Sequence, residues 1–591
     1  MDGRRLTCGG RWRRLRTLLV VVSLFTTLSG STLLAQDPGR YRPKSPIARA
    51  MTFRLADPPY QPLEDSTDVL VEELRGIMIL DCASRVQDLI APFDGVRTDP
   101  LANLTVAREV CFTGTITPYL GRPISPRSLS EMARNIVYLY RDRGQPAVDV
   151  SMPPGQDITD GVVQVVITES TVGCVRFDCN CRFDDCVLQQ QSWLRSGQHI
   201  YAPCLEQELI WYNRNPFRDV SVDLQPGIQP CTTDIVYKVR DKKTVRWYAG
   251  YEDSGTRLTS IERLVFGFNL GNAWGKDRQL SYQYTTDAEL DGTIGVHSVI
   301  YQVPIFENRD TWTVFGSWAN IDADLVGPNI PGEGWQISGR YRHTLCQTRC
   351  QVDELQFGFD TKGTNNDLDF GGSTVLSQNA EIVNFMVGVN SQQQYNDGTT
   401  NYALDIFGSP GYLLGRNTNS ALSMLRPGAK ATYAYGRASV ERVYNIDCRR
   451  DFVVRAAGQL STDKLLPTEQ LGFGGYDTLR GYDMRTVNGD AGYFVNFEYR
   501  TKPVSGCCNG KPTSLTLLAF SDLGQQFNYG NNAGEADGEF LASAGIGFRY
   551  LVDPNCTIRF DYGVPLTRLG PLTTARDNSA GRVHVGAVIA Y

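Results

Sequence analysis

In three stretches near the C-terminus every second residue is apolar. Within 540–550, Phe540, Ala542, Ala544, Ile546, Phe548 and Tyr550 face one way, and Ser543, Gly545, Gly547 and Arg549 the other. Within 557–564, Ile558, Phe560, Tyr562 and Val564 oppose Thr557, Arg559, Asp561 and Gly563. Within 582–591, Val583, Val585, Ala587, Ile589 and Tyr591 oppose Arg582, His584 and Gly586. A period of two is the signature of a β-strand. One apolar face set against a face of charge and glycine fits lipid outside and a polar lumen inside. A soluble sandwich also alternates, but its buried face does not need so many aromatics near the strand ends.

The texture holds from Thr244 onward, with segments of about ten residues separated by Gly/Asn/Asp-rich connections. Sixteen strands are expected, beginning near residues 244, 264, 278, 293, 311, 335, 352, 381, 401, 431, 452, 493, 514, 540, 557 and 582. An even number returns both barrel ends to one side of the membrane. Turns from even to odd strands are then short and lie on that side, with the N-terminal region. Cys346, Cys350, Cys448, Cys507, Cys508 and Cys556 fall in or beside such turns. Cys346 and Cys350 are positioned to staple their own hairpin.

At 591 residues the chain is too long for one compact domain. Its 58 basic and 64 acidic residues give a charge of −6, with no electrostatic case for nucleic-acid binding. Arg4, Arg5, Arg11, Arg13, Arg14 and Arg16 precede an apolar run at 18–28, too short to span a bilayer as a stable helix. Small residues follow, so 1–35 reads as a cleaved export signal. No later segment approaches the length of a membrane-spanning helix. An oxidising compartment suits the remaining cysteines, eight at 82–231 and six at 346–556. Cys174, Cys179, Cys181 and Cys186 are too irregularly spaced for a zinc site, and no metal or other cofactor is expected.

Residues 36–65 are rich in Pro, Arg and Asp and read as a linker or mobile segment, with a short helix at 46–55. A strand is expected at 69–81 and a helix at 101–111. Ser125 is a good N-cap and Pro126 suits the first helical position. Leu129, Met132, Ala133, Ile136, Val137 and Tyr140 then recur with helical spacing to Gly144. Strands follow at 148–152 and 162–168. The order returns with a strand at 172–177, helices at 186–195 and 204–214, and strands at 220–224 and 234–239. These are two small α+β units, 66–170 and 171–241. The phrases PPGQDITDGVVQVVITES at 153–170 and NRNPFRDVSVDLQPGIQPCTTDIVYKV at 213–239 resemble the paired POTRA domains of two-partner secretion transporters, the FhaC, ShlB and HecB family.

A glycine-rich stretch lies between the eleventh and twelfth expected strands, at 462–490. GGYDTLRGY, with Gly474, Gly475, Leu479, Arg480, Gly481 and Tyr482, resembles the G-G-x-x-S-V-R-G-Y/F signature of the superfamily that unites these transporters with BamA. Thr478 and Leu479 depart from it conservatively. FSDLG, with Phe520, Asp522 and Gly524, resembles the family's F-x-D-x-G motif. The resemblance implies that this loop folds into the lumen and that Arg480 pairs with Asp522 on the barrel wall.

The resemblance as a whole implies an outer-membrane β-barrel protein: two periplasmic α+β POTRA domains, then a 16-stranded antiparallel transmembrane barrel at 242–591. Its partners are an unfolded exported client and outer-membrane lipid, and the barrel is expected to be monomeric. The POTRA domains capture the client, and the barrel passes it to the cell surface. Residues 36–65 are candidates to plug the lumen. The alternative is a BamA-like factor that inserts other barrels. No enzymatic activity is expected. His199, His297, His343 and His584 are scattered, and G-x-S-x-G, H-E-x-x-H and P-loop motifs are missing from the sequence.

Overall fold

The computed structural model describes residues 42–44, 66–87, 90–107, 109–256, 260–292, 294–322, 331–348, 350–364, 380–508, 510–530, 532, 535, 537–552, 556–569 and 580–591. The expected signal at 1–35 and helix at 46–55 lie outside the described residues. The chain divides into two compact units, one containing the barrel together with residues 42–44, the other ending at Lys242.

The second of these units holds two sheets. The first is built from β1 (Gly76–Leu80), β2 (Gly95–Thr98), β3 (Val148–Ser151) and β4 (Val162–Glu169), in the order β2-β1-β4-β3. α1 (Val110–Ile116) and α2 (Pro126–Asp142) complete this module. Ser125 caps α2 as expected. Its hydroxyl accepts from Ser128 N, and Ser128 Oγ accepts from Ser125 N at 2.8 Å, closing a reciprocal capping box. Met132, Ile136 and Tyr140 on α2 are fully buried with Ile77, Ile79, Val165 and Ile167 of the sheet.

Two expectations need correcting here. The strand expected at 69–81 is confined to β1, because the backbone before it bonds instead to 122–124. The helix expected at 101–111 begins only at Val110; Ala102, Leu104 and Val106 are buried from irregular backbone. β2 is an additional strand. Its four residues carry too little pattern to stand out, and it is held by parallel pairing to β1.

The second module has β5 (Thr171–Asp178), α3 (Asp185–Gln191), α4 (Ala202–Tyr212), β6 (Arg218–Pro226) and β7 (Thr232–Asp241). Its sheet order is β5-β7-β6. The strand-helix-helix-strand-strand order is the expected one. Phe177, Tyr212 and Tyr237 pack as an aromatic trio, with ring centroids 5.1–5.5 Å apart.

The barrel wall runs through β8 (Val245–Glu252), β9 (Arg263–Ala273), β10 (Arg278–Asp287), β11 (Ile294–Ile305), β12 (Asp310–Asp322), β13 (Pro331–Gln347), β14 (Gln351–Thr364), β15 (Ala380–Tyr395), β16 (Gly398–Ser409), β17 (Tyr433–Asn445) and β18 (Arg450–Ser461). After the short strands β19 (Leu471–Phe473) and β20 (Val487–Gly489) it continues with β21 (Ala491–Thr501), β22 (Val504–Cys508), β23 (Lys511–Phe527), β24 (Phe540–Val552), β25 (Cys556–Pro565) and β26 (Arg582–Ala590). β21 and β22 pair in succession with the same strand, β23, so they form one wall strand interrupted before Val504. The wall therefore has sixteen strands, all antiparallel, closed by β26 on β8. Each of the sixteen matches an expected strand. A helix, α5 (Asn419–Leu425), lies in the connection between β16 and β17.

The pleat sorts side chains as the alternation requires. On β12, Trp312, Val314 and Trp318 are exposed on the outer face, whereas Phe315, Ser317 and Ala319 are buried towards the lumen. Cys346 and Cys350 flank the β13–β14 turn, and no disulfide joins them in the structure. The main chain closes that turn: Thr348 N donates to Gln351 O at 2.7 Å.

Candidate functional site

The connection from β18 to β21 folds inward. Leu471, Phe473, Leu479, Tyr482 and Val487 are buried with Ala457, Phe494 and Leu541 of the wall. The loop therefore carries a small apolar core of its own. β19 and β20 pair antiparallel and hold its two limbs together. Gly474 and Gly475 take φ of 108° and 105° at the bend. Thr478 Oγ1 accepts from Gly474 N and donates to Gly474 O, both at 3.0 Å. Thr478 thus closes the turn with the hydroxyl that a Ser would supply, which explains why this departure from the signature is tolerated.

Arg480 sits at the tip, with its side chain 2% exposed. Its Nε donates to Asp522 Oδ2 at 2.8 Å and its Nη2 to Asp522 Oδ1 at 2.7 Å, a bidentate pair. The backbone N of Arg480 also donates to Asp522 Oδ2, at 3.0 Å. Nη1 donates to Glu498 Oε1 at 2.6 Å, and Asp561 stands 3.9 Å away. The guanidinium lies 3.6 Å from the Phe520 ring centroid, close enough for a cation–π contact. Burial works against the charge of Arg480. The hydrogen bonds to Asp522 and the charges of Asp522, Glu498 and Asp561 outweigh it and raise its pKa.

Each residue of the two motifs has a distinct task. Phe520 is the platform beneath the guanidinium and Asp522 is the acceptor. Gly524 leaves room for the loop, since a Cβ there would stand 3.2 Å from Leu479 Cδ1. Gly481 has φ of 102° and lies against β25, where a Cβ on Gly563 would come within 2.6 Å of Gly481 N. Tyr482 reaches β24, donating from its hydroxyl to Ala542 O at 2.8 Å. The structure thus brings together all the motif residues expected from sequence.

Three further anchors are visible only in the structure. Glu498 shares Arg480 with Asp522 and also accepts from Arg500 Nε at 2.6 Å. Strand parity was the available signal, since Glu498 alternates with Tyr493, Val495, Phe497 and Tyr499 and so faces inward. Glu469, at the base of the loop, is buried against a different part of the wall. It receives Lys362 Nζ at 2.8 Å, Asn384 Nδ2 at 3.0 Å and Tyr435 OH at 2.6 Å. Burial opposes its ionisation, but Lys362, the Tyr435 hydroxyl and the Arg437 charge hold its carboxyl below the usual range. Asp490, at the other base, accepts from Arg426 Nη1 and Nη2 at 2.5 and 3.0 Å. Arg426 also donates to Leu465 O and Glu535, so it ties three connections on this side of the barrel together. No sequence motif marks these residues; each is a single charge whose partner is set by register over long separations.

Residues 42–44 also lie in the lumen. Lys44 Nζ pairs with Glu252 of β8 at 2.9 Å, and the Arg42 guanidinium stands 4.8 Å from the Phe315 ring centroid. Among the described residues no cluster of His, Cys, Asp and Glu is arranged to hold a metal ion.

Comparison with known proteins places this geometry. Residues 232–550, more than half of the chain, match the family described as haemolysin secretion/activation protein ShlB/FhaC/HecB, and residues 101–170 match the ShlB-type POTRA domain. The outer membrane transporter CdiB-2 of Burkholderia pseudomallei is 23% identical over 509 residues, covering 83% of this chain and 82% of that protein. The heme/hemopexin transporter protein HuxB of Haemophilus influenzae is 23% identical over 394 residues, 65% of this chain and 67% of that one. The solved structure of CdiB from Escherichia coli is similar over 100% of both chains, with a TM-score of 0.64 at 15% identity, a likeness of fold. The chain therefore belongs to the haemolysin secretion/activation family and is an outer-membrane transporter of the two-partner secretion type.

Proposed function

We infer that this transporter captures one unfolded partner protein in the periplasm and passes it through its own lumen to the cell surface. The observation that carries this reading is the Arg480–Asp522 clasp, which holds a long loop across a barrel otherwise lined with polar side chains. A loop whose tip is pinned through a buried ion pair is a discrete obstacle, which shifts or stays anchored as the channel opens. Residues 36–65 serve as a plug, a role supported by residues 42–44 lying against the lumen wall. The domain plan is a signal at 1–35, POTRA domains at 66–170 and 171–241, and a barrel at 242–591. The second module acts as a POTRA domain because it repeats the strand and helix order, with β6 at the edge of its sheet. An edge strand receives an extended client by main-chain pairing, without demanding a particular sequence. The barrel works as a monomer in lipid, with no cofactor and no catalytic role. The Cys346–Cys350 pair closes on oxidation and staples the β13–β14 turn.

Deletion of the gene tests the reading. Loss of one exported protein from the cell surface, with other outer-membrane proteins at normal levels, is the expected result. A general loss of outer-membrane barrels overturns it in favour of the assembly role.

A further inference from the structure

The lumen wall is chemically divided. The loop and its neighbours place their ion pairs on β14, β21, β23, β25 and β26: Lys362 with Glu469, Arg480 with Glu498, Asp522 and Asp561, and Arg582 with Asp483. At one level strands β10 to β13 present a different surface, although further along β13 Arg340 and Arg342 pair with Asp360 and Glu354 of β14. Gln283 on β10 opposes Ser298 on β11, Ser298 opposes Ser317 on β12, and Ser317 opposes Gln336 on β13. This is a continuous row of uncharged amides and hydroxyls on the buried, inward face. The hydroxyls of Ser298 and Ser317 are buried and meet no hydrogen-bond partner among the described residues. Buried hydroxyls of that kind favour a ligand that offers polar groups.

One end of the row already holds a polypeptide. Lys44 N donates to Tyr248 OH at 3.0 Å and to Gln283 Oε1 at 3.3 Å, and Arg246 Nη1 donates to Lys44 O at 3.4 Å. These contacts grip the main chain on both its N–H and its C=O, which every client residue except proline also offers. Resting on the export reading above, we propose that Gln283, Ser298, Ser317 and Gln336 form the track along which the extended client passes, and that residues 42–44 occupy its start as a placeholder. Uncharged donors and acceptors suit this task. They satisfy a passing backbone without trapping side chains of either charge, whereas the ion-paired wall stays committed to the loop.

The test uses the full-length protein in bilayers. The probe is an uncharged peptide of Gly, Ser, Asn and Thr carrying a benzophenone. About thirty residues are long enough, when extended, to cross a bilayer. After irradiation, peptide mapping is expected to find adducts on the inward residues of β10–β13. Lys44→Ala, which removes the pairing to Glu252, raises the yield. Ser298→Arg with Ser317→Arg lowers it about tenfold, since an unpaired fixed charge is costly beside a desolvated main chain. Asp405→Asn, on β16 outside the row, leaves it unchanged. Should the double arginine variant fail to insert, Ser298→Val with Ser317→Val lowers the yield by removing the hydroxyls without adding charge. Adducts on β14–β17, adducts spread evenly around the wall, or no adducts overturn the proposal. Labelling of the row together with undiminished surface protein in the deletion strain would leave the track standing and remove the export role.

Discussion

The two sides of this lumen treat polar groups in opposite ways. From β14 to β26 the inward face carries ion pairs to the long loop, those of Lys362, Glu498, Asp522 and Arg582. Across β10 to β13 one inward row, Gln283, Ser298, Ser317 and Gln336, is neutral. A buried ion pair costs desolvation of both partners, and breaking it leaves an unpaired charge in a shielded place. Such a pair therefore gains little in net stability but strongly resists partial disruption. That property suits a holding device. A neutral amide or hydroxyl exchanges partners at low cost, which suits a surface along which something moves. The contrast teaches that the ion pairs of Glu469, Arg480 and Asp490 mark where the loop is held.

The largest effect is expected from Arg480→Ala. It leaves Asp522 and Glu498 buried beside an empty site, a loss of about 3–5 kcal/mol. Export of the partner is expected to stop while the barrel still inserts, measured by surface protein and by the folded-barrel mobility on unheated gels. Gly563→Val follows. It drives a side chain into the backbone at Gly481, at a cost of about 1–3 kcal/mol. A cysteine placed at Tyr482 should then become reactive to a water-soluble thiol reagent. Should it stay protected, the close approach of loop tip and β25 is not what seats the loop. Glu469→Gln is a milder break. It leaves Lys362 without its carboxylate, worth about 1–3 kcal/mol, while the tip stays clasped. Higher channel conductance with export reduced but not abolished is the expected outcome, and unchanged conductance would show that the base of the loop is not a second anchor. On the neutral side, Ser317→Ala removes a buried hydroxyl that meets no partner among the described residues, so the urea midpoint should not fall.

Much of the barrel was legible because lipid and lumen impose a strict alternation on each strand. Even the eighth to tenth strands, β15 to β17, where the pattern is weakest, stand where it places them. The loop tip was legible for a different reason. Arg480 and Asp522 lie within short motifs whose glycines and aromatics have their own steric tasks. Glu469, Arg426 and Asp490 were not legible. Each is one charged residue in a polar connection, and its partner is chosen by the three-dimensional register of strands far away in sequence. In the first module, β2 was missed because four residues carry no period. The helix expected at 101–111 was displaced because Ala102, Leu104 and Val106 fill the core without helical backbone, so apolar spacing alone misplaced its start.

The central claim is that the buried Arg480–Asp522 pair holds the tip of the loop to the wall. A double-mutant cycle between Arg480→Gln and Asp522→Asn tests it most directly, with urea unfolding of the refolded barrel as the readout. Arg480→Gln leaves Asp522 buried without its cation and Asp522→Asn leaves Arg480 with Glu498 as its close carboxylate, whereas the double variant sets two neutral amides facing each other. The account predicts a double variant less destabilised than the sum of the singles, with a coupling of about 0.5–3 kcal/mol. Additive losses would contradict it.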